Sequence, residues 1–486
     1  MFLNDDNKLE FSFKLIAGAF VTAFLLFYLT EFIYFDAQTS FFVNSIFFIT
    51  ILITILKNKI FGICLLLFSY ASIYTRPRAL HTISIDDRGQ YDFFSFHSQS
   101  LGPFVFSTTL LLVISLYTFY LFITKTNVVN FKNLYPILAL ALLYLVSPIS
   151  FIFEGNPIYL NDFVTDFKNV ILLTSGFILG HFAYQENKNS FFNYLINMLL
   201  FLLLVSAFFS YSAVLYDYSQ NEFVLKYGLN TYITAPIFFL CFLIPSKSNQ
   251  SFLISSIIAF CCFSLWPFTR GEQLNFMILF LITAYFIFQK TNITNTVRRL
   301  GFLFFLSIFF YQTELTNLFT TTLDTSISFY LRKVSLFLEG TIDKSVNVRL
   351  AEFGSIFVFN NLVDYYQFLF GSGLGSYFSL DISALHTLDY TDFSEQSLLN
   401  NRFLSPHSFI AYYILKVGIV GIAFICYFFF KAFSQVTQNT SLNKLGINLY
   451  TLFVFSFLWN GYWVPMISFF GPFYVGALNS KYNDEK

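Results

Sequence analysis

Long apolar runs separated by short polar connections dominate the chain. Because a bilayer core is about 30 Å thick, a helical span needs roughly 20 predominantly apolar residues. Fourteen runs fit this pattern, and they cover residues 13 to 34, 41 to 56, 60 to 75, 103 to 124, 134 to 153, 169 to 184, 191 to 216, 228 to 244, 251 to 268, 272 to 289, 299 to 313, 405 to 430, 445 to 460 and 463 to 479. The pattern predicts an all-α, polytopic integral membrane bundle of about 14 transmembrane helices.

The composition excludes several classes of protein. Of 486 residues, 56% are hydrophobic and 11% charged, whereas soluble domains carry about 25% charged residues. The 27 basic and 27 acidic residues give no net charge. The chain therefore lacks the excess of basic residues that is typical of nucleic-acid-binding proteins. The expected partners are therefore membrane lipids and molecules embedded among them.

Basic residues collect at alternate connections, which the positive-inside rule assigns to the cytoplasm. They are Lys57, Lys59, Lys125, Lys132, Lys188, Lys247, Lys290, Arg298, Arg299, Lys431 and Lys444. On this assignment the cytoplasmic segments hold 15 basic and 6 acidic residues, the external segments with the span edges hold 11 and 21, and Lys416 lies within the bilayer. We expect both termini to be cytoplasmic. The first run follows charged residues and has no small-residue cleavage site, so it is expected to be a retained span rather than a removed signal peptide.

One external connection, residues 314 to 404, is far longer than the others and divides the chain. The expected organisation is a transmembrane bundle of spans 1 to 11 over residues 1 to 313, this large loop, and spans 12 to 14 over residues 405 to 486. Apolar positions recur at helical spacing from Asn347 to Phe370, so the loop should contain short helices. A second external segment, 76 to 102, carries Arg76 and Arg78.

The expected loop helix ends at three glycines at alternate positions, Gly371, Gly373 and Gly375. Such glycines permit a tight turn and a close backbone approach to a ligand, including an anionic one. A plain helix stop followed by a loop is the alternative. Elsewhere, the small pair Gly176 and Gly180 has a spacing that lets two helices approach closely.

The acidic residues of the large loop and the cysteines are also candidate metal ligands. The cluster Asp389, Asp392 and Glu395 has oxygen ligands suited to a divalent cation, but its spacing matches no recognised ligand set, and a solvated loop surface is the favoured interpretation. The five cysteines all lie within apolar runs, which suggests neither a disulfide framework nor a metal site.

Two residues stand at the expected outer ends of spans. Arg270, between Thr269 and Gly271, offers a planar fork that could hold a phosphate at headgroup depth. A snorkelling Arg, or an ion pair with Glu272, are the alternatives. His407 follows Pro406, and the positive end of the helix dipole there favours the neutral imidazole that a general base needs. A hydrogen-bonded interfacial His is the other interpretation.

Lys416 follows nine residues after His407 in the same span. At 1.5 Å and 100° per residue it lies about 13 Å deeper and on the opposite helix face, so the two side chains should not share a pocket. A charge near the middle of a bilayer is a functional candidate, but an internal ion pair or a snorkelling stem also accounts for it.

Four motifs, taken together, resemble the O-antigen polymerase and O-antigen ligase family. They are TRG at 269 to 271, NVRLAEFGSIF at 347 to 357, FGSGLGSYF at 370 to 378 and SPHSFIAYYILKVGIVGI at 405 to 422. Each motif is degenerate, and the resemblance rests on their order and on their expected external position. The amino-terminal half resembles the family only in being a bundle of spans.

The resemblance implies a membrane-embedded hexosyltransferase that uses a glycan on undecaprenyl diphosphate as donor and needs no cofactor or metal. It implies that Arg270 and Arg349 bind the diphosphate and that His407 takes the proton of the acceptor hydroxyl. Arg402, Arg76 and Arg78, with the glycines at 371, 373 and 375, would contact the substrate. Ser408 follows the His where many members have Asn.

The expected activity is polymerisation of O-antigen repeat units in lipopolysaccharide biosynthesis, in the bacterial inner membrane with the active site facing the periplasm. A chain-length regulator is a possible partner by the same resemblance. The number of spans and the Phe-rich first half favour a polymerase over a ligase, which would transfer the glycan to lipid A core. A flippase for lipid-linked oligosaccharides is the alternative from another class, but it would be expected to carry charges along a central cavity rather than a 90-residue external loop.

Overall fold

The structure is a computed structural model of the chain. It describes residues 2–3, 9–10, 37–71, 96, 99–124, 135–153, 155–186, 188, 191, 195, 297, 301, 344–358, 361–380, 395–406, 408–438 and 465–484. This described part is mostly helical.

Eleven helices and four two-residue strands are described. The helices are α1 Ala37–Lys57, α2 Lys59–Ala71, α3 Phe106–Thr124, α4 Tyr135–Val146, α5 Pro148–Phe153, α6 Leu160–Glu186, α7 Lys344–Ile356, α8 Leu362–Phe370, α9 Glu395–Leu399, α10 Phe409–Gln438 and α11 Pro465–Asp484. Two antiparallel pairs join β1 Phe2–Leu3 to β2 Leu9–Glu10 and β3 Ser100–Leu101 to β4 Phe104–Val105.

Among the described helices, four are long and apolar enough to cross a membrane: α1, α3, α6 and the Ile410–Lys431 part of α10. Large apolar side chains such as Phe42 on α1 and Ile123 on α3 are exposed, as expected where lipid, not water, is the solvent. The protein therefore has the transmembrane character that the sequence predicts.

Seven of the fourteen predicted spans lie wholly or mostly in the described part, and most of their described residues are helical. Span 5 is divided into α4 and α5 at Ser147, where Pro148 has no N–H to continue the helix. The other seven spans, the first, seventh to eleventh and thirteenth, lie wholly or almost wholly outside the described residues. The span count stays a prediction.

Two predicted boundaries were wrong. Helix α6 begins at Leu160 rather than at 169, because Asp162 and Asp166 in its first turns are paired inside the protein. The single helix expected from Asn347 to Phe370 is two helices. Asn361 caps α8 through a reciprocal capping box with Asp364, which fixes a new helix start there.

The described residues fall into two compact units. The first includes α1, α2 and the β3–β4 pair, and in it the buried Lys59 pairs with Glu186. The second comprises described residues within Ser115–His181, Thr325–Gln435 and Phe457–Lys486, and it holds α4, α5, α7, α8, α9 and α11 with most of α6 and α10.

The packing role predicted for Gly176 and Gly180 is confirmed within the second unit. A Cβ at these positions would stand 2.3 Å from the carbonyl oxygen of Phe469 and 1.8 Å from that of Phe473, both on α11. On α11, a Cβ at Gly476 would stand 2.0 Å from the Phe177 carbonyl oxygen. The two helices therefore pack backbone against backbone, which only residues without a side chain allow.

Candidate functional site

Helix α10 is broken at Gly418, whose φ of 64° and ψ of −173° are not helical. At such a break, the carbonyl oxygens of the preceding turn lose the N–H groups of the following turn as hydrogen-bond donors. Two of these carbonyls are satisfied from outside the helix: Ser372 N–H donates to Leu415 O over 2.7 Å, and Gly373 N–H donates to Lys416 O over 3.0 Å. The segment Gly371–Gly375, called here the glycine turn, therefore completes the broken helix.

The glycine turn adopts a conformation that favours glycine. Gly371, Gly373 and Gly375 have φ values of 83°, 82° and 76°, in the left-handed region that other residues rarely adopt. A Cβ on Gly371 would lie 2.4 Å from the Lys416 carbonyl carbon, and one on Gly373 would lie 2.1 Å from Pro148 N. The predicted tight turn and close backbone approach are present, and the approach is to protein backbone; a ligand contact by these glycines stays a prediction.

A buried ion pair holds the same turn from the other side. Lys416 Nζ lies 2.7 Å from Asp166 Oδ2, and the side chains are 0% and 1% exposed. Lys416 Nζ also donates to Ser376 O over 2.5 Å, and Gly375 N–H donates to Asp166 Oδ2 over 2.8 Å. The internal ion pair, one of the alternatives open for Lys416, is thus the one observed.

The carboxylate of Asp166 has a third partner on α10. Tyr412 donates its hydroxyl hydrogen to Asp166 Oδ1 over 3.0 Å, and Asn169 Nδ2 donates to the Tyr412 oxygen over 3.3 Å. Both oxygens of the buried carboxylate therefore accept hydrogen bonds, as a buried charge requires. Helix α6, helix α10 and the glycine turn meet at this one carboxylate.

A second ion pair lies one helical turn earlier on α6. Arg402 Nη2 is 3.0 Å from Asp162 Oδ2, and the side chains are 28% and 16% exposed. The guanidinium carbon lies 3.7 Å from the ring centre of Tyr159 and 5.6 Å from that of Tyr377. Burial, with a smaller contribution from Tyr159, raises the pKa of the Tyr377 phenol above its ordinary value, so this phenol is neutral at neutral pH. These four residues are called the Arg402 cluster.

The position of Arg402 is fixed by pairing of the backbone around it. Phe378 and Phe403 exchange two N–H to carbonyl hydrogen bonds of 3.0 Å. The amide of Asn401 accepts from Leu380 N–H over 3.0 Å and donates to Leu380 O over 2.9 Å. Phe378, Leu380 and Phe403 are buried with Val348 of α7, so this local core connects the loop to α7.

The predicted site residues are only partly described. Arg349 lies on the exposed side of α7, next to the buried Val348, and Arg402 lies in its cluster beside the glycine turn. His407, Arg270, Arg76 and Arg78 lie outside the described residues, as do Asp389 and Asp392 of the acidic cluster. The described part thus brings together Arg402, the glycine turn and the broken helix, and it does not test the predicted base.

Sequence reasoning missed Asp162 and Asp166, although a signal was present. Two carboxylates four residues apart lie on one face of a helix, and an otherwise apolar helix has no reason to carry them unless each has a partner. Their partners, Arg402 and Lys416, are more than 200 residues away in the chain. Tyr159, which precedes α6, and Tyr412 were not distinguishable from the other tyrosines.

Comparison with known proteins gives this site no external support. No protein-family model matches the chain, and no curated protein matches it significantly either.

Proposed function

We propose that this chain is an O-antigen polymerase. It would transfer the growing glycan from undecaprenyl diphosphate to the non-reducing end sugar of a new lipid-linked repeat unit. The site would face the periplasm from the inner membrane. The resemblance of four motifs, described above, is the origin of the proposal.

The observation that carries the proposal is the direct contact between two of these motifs, called here the motif junction. Residues 370 to 378 and 405 to 422 are separated by 26 residues, yet Ser372 and Gly373 donate hydrogen bonds to the carbonyls of Leu415 and Lys416. Motifs that act in one site must lie together, and these two do. Asp166 of α6 contacts both motifs, through Gly375 and Lys416. A span of the amino-terminal half therefore also packs at the motif junction.

The proposed reaction needs charge stabilisation at the leaving group. A hydroxyl oxygen of the acceptor sugar bonds to the anomeric carbon of the donor, and the bond from that carbon to the phosphate oxygen breaks. The electron pair stays on the departing lipid diphosphate, where Arg270 and Arg349 would stabilise the charge. His407 would take the hydroxyl proton, a step that contributes roughly 10² to 10⁴ fold.

The buried environment of Lys416 favours a glycosyltransferase over a transporter. A charged residue on an ion or proton pathway needs access to water or to its substrate. Lys416 and Asp166 are instead fully buried, and both are hydrogen-bonded to protein groups that hold the glycine turn. This is the arrangement expected of a charge pair that fixes a structure.

Deletion of the gene, followed by gel analysis of lipopolysaccharide, tests the proposal. A polymerase deletion should leave lipopolysaccharide with a single repeat unit in place of a ladder. Free lipid-linked polymer without capped lipopolysaccharide would instead establish the ligase. Absence of both polymer and single-unit lipopolysaccharide, with repeat units retained in the cytoplasmic leaflet, would establish the flippase.

Complementation of the deletion then tests the site. His407→Ala, Arg270→Ala and Arg349→Ala should insert normally but restore only the single repeat unit. Leu350→Ala is the matched control for Arg349→Ala, because Leu350 is the next residue on α7 and is 56% exposed. Ladders of normal length from the Arg270 and His407 variants would contradict the assigned roles.

A further inference from the structure

The Arg402 cluster has the composition of a recognition site, but it lacks the net charge of an anion site. The cation of Arg402 is already 3.0 Å from the carboxylate of Asp162. A phosphate ligand would have to approach this carboxylate or displace it, and either step costs electrostatic free energy. The cluster therefore suits an uncharged polar ligand better than a diphosphate.

Two tyrosine rings give the cluster apolar surface. Tyr159 is 42% exposed, and its ring centre lies 6.2 Å from that of Tyr377 at an interplanar angle of 53°. Phe151 meets the Tyr377 ring edge to face at 5.2 Å and so supports it from α5. The Arg402 guanidinium covers one face of the Tyr159 ring, 3.7 Å from the ring centre, so a ligand would pack on the other face. The electron-rich face of such a ring attracts positively polarised hydrogens, and a pyranose ring carries a set of these on the C–H groups of one face.

The charged pair completes the match to a sugar. A guanidinium can only donate hydrogen bonds and an ionised carboxylate can only accept them. Each sugar hydroxyl does both, so two neighbouring hydroxyls fit a donor and an acceptor that stand side by side. Asp162 Oδ2 is buried and lies 3.0 Å from Arg402 Nη2 without an aligned hydrogen bond. A ligand hydroxyl would therefore reach the carboxylate through the 16% of the side chain that is exposed.

The position of the cluster adds the last step. Tyr377 follows Gly375 by two residues, and a Cβ on Gly375 would lie 2.9 Å from Ile158, the residue before Tyr159. We propose that the Arg402 cluster is a subsite that binds one uncharged pyranose unit of the glycan beside the glycine turn. This inference rests on the proposed function, and it assigns the cluster to the sugar rather than to the diphosphate.

Binding to the full-length protein in nanodiscs tests the subsite directly. The probes are the oligosaccharide released by mild hydrolysis from the host's own surface polysaccharide and, separately, inorganic diphosphate, with saturation-transfer NMR as the readout. Tyr159→Ala and Tyr377→Ala should each raise the Kd for the oligosaccharide about tenfold and leave the Kd for diphosphate unchanged. Tyr366→Ala, at a tyrosine of similar exposure (40%) on α8, should bind as wild type.

Conservative variants separate recognition from folding. Tyr159→Phe keeps the ring and should bind nearly as wild type, whereas Tyr159→Leu keeps apolar bulk without a ring and should bind as weakly as Tyr159→Ala. Equal oligosaccharide binding by wild type and Tyr159→Leu, or no binding by wild type, would overturn the subsite. Weakened binding of diphosphate in Tyr159→Leu would also overturn it.

The gel and the binding experiment fail independently. If the ladder persists after gene deletion but Tyr159→Leu loses the oligosaccharide, the polymerase proposal fails and the sugar subsite stands. If the ladder depends on the gene but all variants bind equally, the polymerase proposal stands and the subsite fails.

Discussion

Lys416 Nζ lies 2.7 Å from Asp166 Oδ2, at a point where neither side chain has contact with solvent. This pair joins α6 to the broken helix α10, two elements that are about 250 residues apart in the chain. Because a charge without a partner is very unfavourable in such surroundings, each residue requires the other. The pair therefore fixes which part of α10 faces α6, and with it the position of the glycine turn.

Removal of one charge should be costly. Lys416→Met and Asp166→Asn are each expected to lower the free energy of unfolding by about 3 to 5 kcal/mol, because the remaining charge is buried alone. The double variant should lose clearly less than the sum of the two, since it leaves no lone charge. The measurement is SDS-induced unfolding in mixed micelles, followed by circular dichroism.

The partly exposed pair of Lys59 and Glu186 provides the control for that experiment. Glu186 is 39% exposed, so water can solvate it when its partner is removed, and Lys59→Met should cost no more than about 1 kcal/mol. Additive losses in the Lys416 and Asp166 double variant would contradict the ion pair.

The glycine turn should not tolerate a side chain. Gly373→Ala is expected to be strongly destabilising because φ is 82° and the added Cβ would stand 2.1 Å from Pro148 N. Gly354 has open space around it in the last turn of α7, so Gly354→Ala should be neutral or stabilise by up to about 1 kcal/mol. Limited proteolysis in nanodiscs, with cleavage mapped to residues 361 to 380, measures the difference, and equal protease resistance of the two variants would rule out the tight turn.

The hydroxyl of Tyr412 should contribute through Asp166. Tyr412→Phe removes a hydrogen bond of 3.0 Å to a buried carboxylate, and such bonds to charged groups contribute about 1.5 to 3 kcal/mol. Tyr427→Phe on the same helix is the control, because Tyr427 is 56% exposed. SDS-induced unfolding of both variants gives the comparison, and an unchanged midpoint in Tyr412→Phe would show that Asp166 does not depend on this bond.

In the described part of the chain, the hydrophobic pattern predicted the helices well, because contact with lipid requires whole runs of apolar residues. It failed at the start of α6, where Asn161, Asp162 and Asp166 suggest a loop. The two aspartates lie inside a helix because Arg402 and Lys416 meet them in space. Hydropathy sums over neighbours in the chain, so it cannot detect a partner that is distant in sequence.

The candidate site was likewise predictable from the sequence only where the feature is local. The three glycines indicated a tight turn correctly, since left-handed backbone is a local property. What the turn contacts, the carbonyls of Leu415 and Lys416, depends on the break at Gly418. A single glycine within an apolar run is ordinary, and no local signal distinguished Gly418 from Gly421.

The contact of α6 with α11 should depend on the absence of side chains at Gly176 and Gly180. Gly180→Leu is expected to separate the two helices, because even a Cβ would stand 1.8 Å from the Phe473 carbonyl oxygen. Val164→Leu adds bulk at an exposed position of the same helix and should have no effect on this contact. Each variant would carry a cysteine pair placed on the facing surfaces of α6 and α11, and oxidative cross-linking in native membranes would measure their proximity. Efficient cross-linking in Val164→Leu with loss in Gly180→Leu is expected, and equal cross-linking in both would mean that the two helices do not pack through these glycines.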